Sequence, residues 1–402
     1  MELEPLPYHV RMRDLLKSRH PELWEWFAST EAQSDYAEAV ELELLKTTYR
    51  LDREGHPELY GLVDEALGLL GMEVPVTLYQ AQDRGGNPAA LYYTPGHGHV
   101  VFVGGVLKLL NADERRALVG HELAHFKLWT TEGGDFLVAD RLLQALANEP
   151  RATEGHVESA RLWQLYTEVY ADRGAALMAE EGKAAVSLLV KVSTGLGEVD
   201  AAGYLRQAED IFAKEAATTA GVTHPEIYIR ARAIGLWSEE REKVEEEVRR
   251  MIEGRRGFDG LDLLGQERLT EVTRRIVRHH LRWPWLRTGR VTGHAGHFFE
   301  HGMPEDGIDL EVVRADWDGV DDRMRDYGCY LLLDFGWVDP ELEENGLAAA
   351  FLTADGLGWG DRLEELARKE LKLLKRDTTR IRKSAAMMVE QAAAESGREA
   401  EA

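Results

Sequence analysis

The run Val119-Gly120-His121-Glu122-Leu123-Ala124-His125-Phe126 constrains this chain more than any other segment. It reads as helix. Asn111 is placed to cap it, and Asp113 and Glu114 suit the positive end of the helix dipole. Leu110, Leu118, Val119, Leu123 and Phe126 supply an apolar face. Residues four apart stack on one side of a helix, so the imidazoles of His121 and His125 can reach one ion. Glu122 can then reach a water bound to that ion, which puts a metal and a proton acceptor in one turn of backbone. A chain that uses this must bury the helix and bring a third ligand from another element. The alternative is a buried helix whose two histidines make ordinary structural hydrogen bonds.

The third ligand is sought on a second helix, read over Leu162 to Met178. Glu168 and Asp172 are four apart there, among apolar and small residues. Two carboxylates facing a core are costly unless each has a partner. Glu168 on the metal and Asp172 holding a histidine ring nitrogen would supply the partners. The alternative is the exposed face of an amphipathic helix.

Four motifs follow one another in order: His121-Glu122-Leu123-Ala124-His125, then Glu168-Val169-Tyr170-Ala171-Asp172, then Thr223-His224-Pro225, then Arg230. In that order they resemble the gluzincin metallopeptidases related to the CAAX prenyl endopeptidases and the bacterial HtpX heat-shock protease. The stretches Asn87 to Tyr93 and His99 to Leu107 resemble the strand pair and short helix ahead of the zinc helix in that family. The likeness covers residues from about 55 to about 240. It implies a zinc-dependent metalloendopeptidase with one zinc per chain, held by His121, His125 and Glu168. Glu122 would be the general base, Asp172 would orient a ligand histidine, His224 would stand near the developing oxyanion, and Arg230 would support the site. Val100, Val101, Phe102 and Val103 would pair with an extended protein or peptide substrate. His224, next to Pro225, can instead be an ordinary residue opening a helix. Two positions depart from the family: Ala124 stands where many members have glycine, and Pro88 interrupts the first strand.

Composition narrows the partners. The formal net charge of −24 argues against nucleic acid phosphates and anionic lipid. No window reaches the roughly 18 apolar residues of a membrane span; the best candidate, Ala184 to Val192, contains Lys191. The acidic start, Met1-Glu2-Leu3-Glu4-Pro5, lacks the blocks of a signal peptide. The single cysteine, Cys329, excludes an internal disulfide and reads as a small core residue. Together these point to a cytoplasmic protein. Oligomeric state is left open.

The expected architecture is mainly α (α+β): a helical zincin-type domain over 73–253 with a small sheet, helices over 1–72, and a mostly helical region over 258–402 of unassigned family. Helices are expected over Glu31 to Arg50, Pro57 to Leu70, Phe136 to Leu146, Lys183 to Val192, Tyr204 to Ala217, Ser238 to Arg250, Leu264 to Trp283 and Asp361 to Gln391. A strand is expected over Val76 to Gln80. His224-Pro225 is expected to open a helix, and Ala392 to Ala402 to be frayed. His294, His297 and His301, with Glu300, read as a glycine-rich loop or, alternatively, a second metal site. A functional alternative is a binding or regulatory protein on a metallopeptidase scaffold, its zinc structural or vestigial. A small-peptide or non-peptide amidohydrolase is a third reading.

Overall fold

The computed structural model describes every residue except 1–2, 83–88, 95, 180–181, 215–217, 240–243, 255–256, 300–301, 303–306 and 402; the side chains of 30–37, 239 and 399–401 also lie outside the description. The expectations for Asn87, Pro88, Glu300 and His301 fall there. The fold is mainly helical, with one small mixed sheet. The chain divides into two compact units, Met1–Gly254 with Asp262–Leu264, and Arg255–Leu261 with Gly265–Ala402.

In the first unit, α1 (Pro7–Arg19), α2 (Pro21–Ala28), α3 (Thr30–Thr47) and α4 (Pro57–Leu69) precede most of the sheet. Leu6, Met12 and Leu16 of the N-terminal region share one core with the helices that follow. The sheet holds β1 (Tyr49–Leu51), β2 (Val76–Ala81), β3 (Ala89–Thr94) and β4 (His97–Val103) in the order β1-β2-β4-β3. β4 runs parallel to β2 and antiparallel to β3. β1 sits at the end of the apolar-periodic stretch that reads as helix, and its three residues are too few to announce a change of period.

One expectation about the sheet is corrected. Val100, Val101 and Phe102 are paired on both sides, with β2 and with β3. Val103 pairs with Ala81 of β2. β4 is therefore a central strand and offers a substrate no free edge at Val100, Val101 or Phe102. The continuous apolar run has a different cause: both faces are covered. Val100 and Phe102 enter the main core, while Val101 and Val103 lie with Val40 and Leu44 of α3. The edge next to β4 is β3.

After the sheet come α5 (Val106–Leu109), α6 (Ala112–Thr130), α7 (Asp135–Asn148), α8 (Glu154–Met178), α9 (Lys183–Thr194), α10 (Ala201–Lys214), α11 (Ile227–Glu239) and α12 (Val244–Glu253). α6 and α8 cross at the centre. A Cβ on Gly120 would lie 2.7 Å from the carbonyl oxygen of Gly174, and one on Gly174 would lie 2.4 Å from Ala124 Cβ, so the crossing admits only small residues. The spacing Gly120…Ala124 carries that signal in the sequence. Asn111 and Glu114 form a reciprocal capping box at the start of α6. Glu114 does more than suit the dipole: its carboxylate also accepts from Ser187 (2.6 Å) and Lys191 (2.9 Å) of α9. Lys191, the charge inside the most apolar window, is thus a buried ion-pair partner. No helix among the described residues is long and apolar enough to cross a membrane.

His224 and Pro225 do not open a helix. They lie in an irregular stretch ahead of α11, which starts at Ile227. Of the helix expected over Ser238 to Arg250, α11 covers the start to Glu239 and α12 the part from Val244, and 240–243 lie outside the described residues.

The second unit holds most of α13 (Leu263–His280), then α14 (Gly289–Ala295), α15 (Leu310–Asp316), α16 (Asp322–Trp337), α17 (Glu343–Gly356), α18 (Gly360–Glu370) and α19 (Lys375–Glu401). Cys329 is fully buried in its core. Two expectations change here. The long C-terminal helix is broken after Glu370, where Lys372 takes a positive φ of 55°, and it continues to Glu401 instead of fraying at Ala392. Ile381, Ala385 and Val389 bury its apolar side, which holds it against the core. His294 lies on the short α14 and not in a loop.

Candidate metal centre

The crossing of α6 and α8 brings His121, His125 and Glu168 together. Their donor atoms are separated by 3.3 Å (His121 Nε2 to His125 Nε2), 3.7 Å (His121 Nε2 to Glu168 Oε2) and 3.7 Å (His125 Nε2 to Glu168 Oε1). Ligands about 2.1 Å from a tetrahedral ion are about 3.4 Å from one another; each histidine approaches a different Glu168 oxygen, and with one donor atom per residue the three lie within 4.8 Å of one another, a group that could hold a single ion. Glu168 Oε2 is buried and makes no hydrogen bond, its charge balanced by Arg230 Nη2 at 3.1 Å, so its lone pairs are left for an ion. Two imidazoles and one carboxylate also suit a first-row divalent cation. Among the described residues, this is the single group of three or more His, Cys, Asp or Glu residues arranged for a metal.

Asp172, one turn beyond Glu168, is almost fully buried and stands at the back of the site. Its Oδ1 lies 3.3 Å from His121 Nδ1, on the side of the ring away from the other donors. Arg230 of α11 grips the same carboxylate with two bonds, Nε to Oδ2 at 2.7 Å and Nη2 to Oδ1 at 2.6 Å. Arg230 Nη2 also comes within 3.1 Å of Glu168 Oε2, outside hydrogen-bonding geometry. Burial alone would push Asp172 up, but the Arg230 charge and the bonds from Arg230 and His121 outweigh it and hold the carboxyl at about 2. Burial opposes the charge on Arg230 too, and Asp172 and Glu168 keep it on. Glu168 likewise stays below the usual carboxylate range: burial raises it, and Arg230, His121 and His125 overcome that.

Glu122 is different. It is 6% exposed, and burial outweighs the charges of His121 and Arg230 near it. Burial lifts it to about 7, with His121 lowering it and Glu168 raising it. Burial also pulls His125 down to about 4, the neutral form a metal ligand needs. His121 is raised; burial lowers it, and Asp172 and Glu168 more than offset this. The arrangement pairs carboxylates held ionised with one carboxyl poised near neutrality, which is the division of labour of acid–base chemistry.

His224 reaches the same point from the stretch ahead of α11. Its Nε2 is 3.4 Å from Glu168 Oε1, and Thr223 Oγ1 lies 2.8 Å from its Nδ1. Thr223 is thus a neighbour that orients the ring, a part for which its place in the sequence gives no signal. Every candidate on α6, α8 and α11 converges here. Val100 to Val103 do not, for the reason given by the sheet. The edge strand β3 packs on α6, where the ring of Tyr93 lies 5.4 Å from that of Phe126, the residue after His125. In the second unit, His294 and His297 approach edge to face at 5.9 Å between ring centroids and belong to no metal-type group among the described residues.

Comparison with known proteins finds a relative in Arabidopsis thaliana, the plastoglobule-localized metallopeptidase 48, chloroplastic. It is 27% identical over 214 residues, which are 49% of this chain and 61% of that protein. The match thus spans less than two thirds of the relative's length. No family model matches the sequence. No solved structure matches it.

Proposed function

We propose that this chain is a zinc-dependent metalloendopeptidase. The observation that carries the reading is the meeting of His121, His125 and Glu168 donor atoms beside a buried Glu122 raised to about 7. A structural zinc site would have no use for that carboxyl, and a relative that bears the name metallopeptidase adds support.

His121 Nε2, His125 Nε2 and Glu168 would hold the ion, leaving a fourth position open. When bound there, zinc supplies Lewis acidity toward a water and toward a peptide carbonyl oxygen. Glu122 takes the proton from the attacking water on its carboxylate and passes it to the departing amine nitrogen; a group near neutrality serves both directions. Asp172 holds His121 by its Nδ1 edge, and Arg230 keeps Asp172 ionised so that the hold persists. His224, anchored through Thr223 at Nδ1, offers Nε2–H toward negative charge developing on the carbonyl oxygen. β3, the end strand of the sheet among the described residues, would give an extended substrate a ladder of backbone partners beside α6, replacing β4 in that part. Backbone pairing of this kind tolerates many sequences, in keeping with an endopeptidase.

The test is zinc content together with cleavage of an unfolded protein such as casein, for wild type and Glu122→Gln. About one zinc per chain in both, with hydrolysis slowed by about 10³-fold or more in the variant, is the expected outcome. Zinc in both and cleavage in neither would favour a binding or regulatory protein with a structural ion.

A further inference from the structure

We propose that Arg161 is a positioning residue for the site, clamping the turn that carries His224; the proposal rests on the hydrolytic reading above. Arg161, Glu168 and Asp172 lie at spacings of seven and four on α8, so they form one stripe along one face of that helix. The segment from Thr219 to Arg230 is stitched along this stripe at three levels. At the first, Arg161 Nε donates to Gly221 O (2.8 Å) and Nη2 donates to Thr219 O (3.2 Å). At the second, His224 meets Glu168, and at the third, Arg230 grips Asp172. Arg161 is itself aimed by Glu158, which accepts from Nη1 at 2.7 Å.

The turn has little freedom once these bonds form. A Cβ on Gly221 would lie 2.0 Å from the carbonyl oxygen of His224, so the backbone folds back on itself there and only glycine fits. Glu226 accepts from Ala220 N, and Thr219 Oγ1 accepts from Gly221 N. The Thr219 amide donates to Met251 O of α12. Val222, at the tip, is 69% exposed, so its side chain does not hold the turn down, whereas Thr219 and Pro225 are buried. Polar bonds hold it as well, and the Arg161 guanidinium ties the Thr219 and Gly221 carbonyls to the helix that also presents Glu168. A planar fork can serve two carbonyls two residues apart and a carboxylate at once; a lysine ammonium cannot.

The experiment is a kinetic cycle on the zinc-loaded full chain with Arg161→Ala, His224→Ala and the double variant, paired with NMR of histidine-labelled, metal-free protein. Expected are a fall in kcat of about tenfold to a hundredfold for Arg161→Ala, KM and zinc affinity changed less than about twofold, and no further fall when His224 is already alanine. In the metal-free protein, the His224 ring signals, assigned by their loss in His224→Ala, should shift and broaden in Arg161→Ala. Additive losses in the cycle, or unmoved His224 signals, would overturn the proposal. If Arg161→Ala does not fold, Arg161→Lys asks the same question with the charge kept and the fork lost. If wild type holds zinc and cleaves nothing, the hydrolytic reading fails by itself, and the ring signals still decide the clamp.

Discussion

Each unit contains a pair of helices brought together through reciprocal glycines, and the two pairs differ in what they enclose. In the first unit, Gly120 of α6 and Gly174 of α8 face each other, with a Cβ on either reaching the other's carbonyl oxygen at 2.7 or 2.8 Å. In the second, Gly336 of α16 and Gly346 of α17 do the same at 2.8 and 2.4 Å. The packing device is shared. Around Gly120 and Gly174, however, stand His121, Glu122, Glu168 and Asp172, all buried. Around Gly336 and Gly346 stand Phe335, Leu347, Ala349 and Ala350, buried and apolar. Close helix approach is therefore a means of packing that either unit can use. The chemistry depends on which side chains the sequence places next to the crossing. Burial that stabilises the second pair raises the carboxyl of Glu122 in the first, while the charges of Arg230 and His121 overcome it and hold Glu168 and Asp172 low.

The comparison breaks most visibly at the charges. Asp172→Asn would leave Arg230 buried with a weakened partner and release His121. Zinc affinity should fall about 10- to 100-fold, and unfolding should become easier by about 3–5 kcal/mol. Metal titration with a competing chelator and urea denaturation of the metal-free protein check the two effects. Unchanged zinc affinity would mean that Asp172 is a structural partner of Arg230 alone.

Alanine at the glycines sharpens the contrast. Gly174→Ala must force Ala124 or the Gly120 carbonyl away, and Gly346→Ala must push on the Gly336 carbonyl. Each overpacked variant should lose about 1–3 kcal/mol of stability. Zinc affinity should fall only for Gly174→Ala, because only that crossing sets the His121–Glu168 separation. Equal affinity in both variants would show that the site does not depend on the crossing.

The smallest effect concerns acid. His280 is fully buried in the second unit, with Nδ1 3.2 Å from Thr353 Oγ1 and Nε2 unpartnered. Burial lowers it from 6.5 to about 3, with the Arg282 charge adding to this. Between these values the unfolded chain binds a proton that the folded chain refuses. Stability should therefore fall as pH drops below about 6.5, by at most about 1.4 kcal/mol per pH unit from this group. His280→Gln should flatten that slope in denaturation midpoints between pH 7 and pH 5. The same slope in wild type and variant would assign the acid sensitivity elsewhere.

Much of the site was legible in the residues. The cap at Asn111, the apolar face of α6 and the spacing of His121 and His125 are local facts, set within a few turns of one helix. Glu168 and Asp172 were legible for a related reason: two carboxylates among small and apolar residues invite a question about their partners. The answer for Asp172 was only half visible, because Arg230 comes from a separate helix. Elements failed to show where a local pattern has two tertiary explanations. The run Val100 to Val103 reads equally as an edge strand awaiting a substrate and as a central strand covered on both faces, and the register with β2 and β3 decides it. β1 is too short for a period. The positive φ at Lys372 that splits the last helices follows no glycine or proline.

What the sequence by itself determined, then, was the chemistry available: which donors exist, which of them share a helical face, and the mainly helical class with a small sheet. These follow from backbone periodicity, which acts over a few residues. The tertiary structure decided which donors meet. It set the 3.3–3.7 Å approaches among His121, His125 and Glu168, the raised carboxyl of Glu122, the pairing that closed β4 and left β3 at the edge, and the stitching of Thr219 to Arg230 along α8. Those depend on distances between segments far apart in the chain and on the water that packing excludes, and neither is a property of any local stretch.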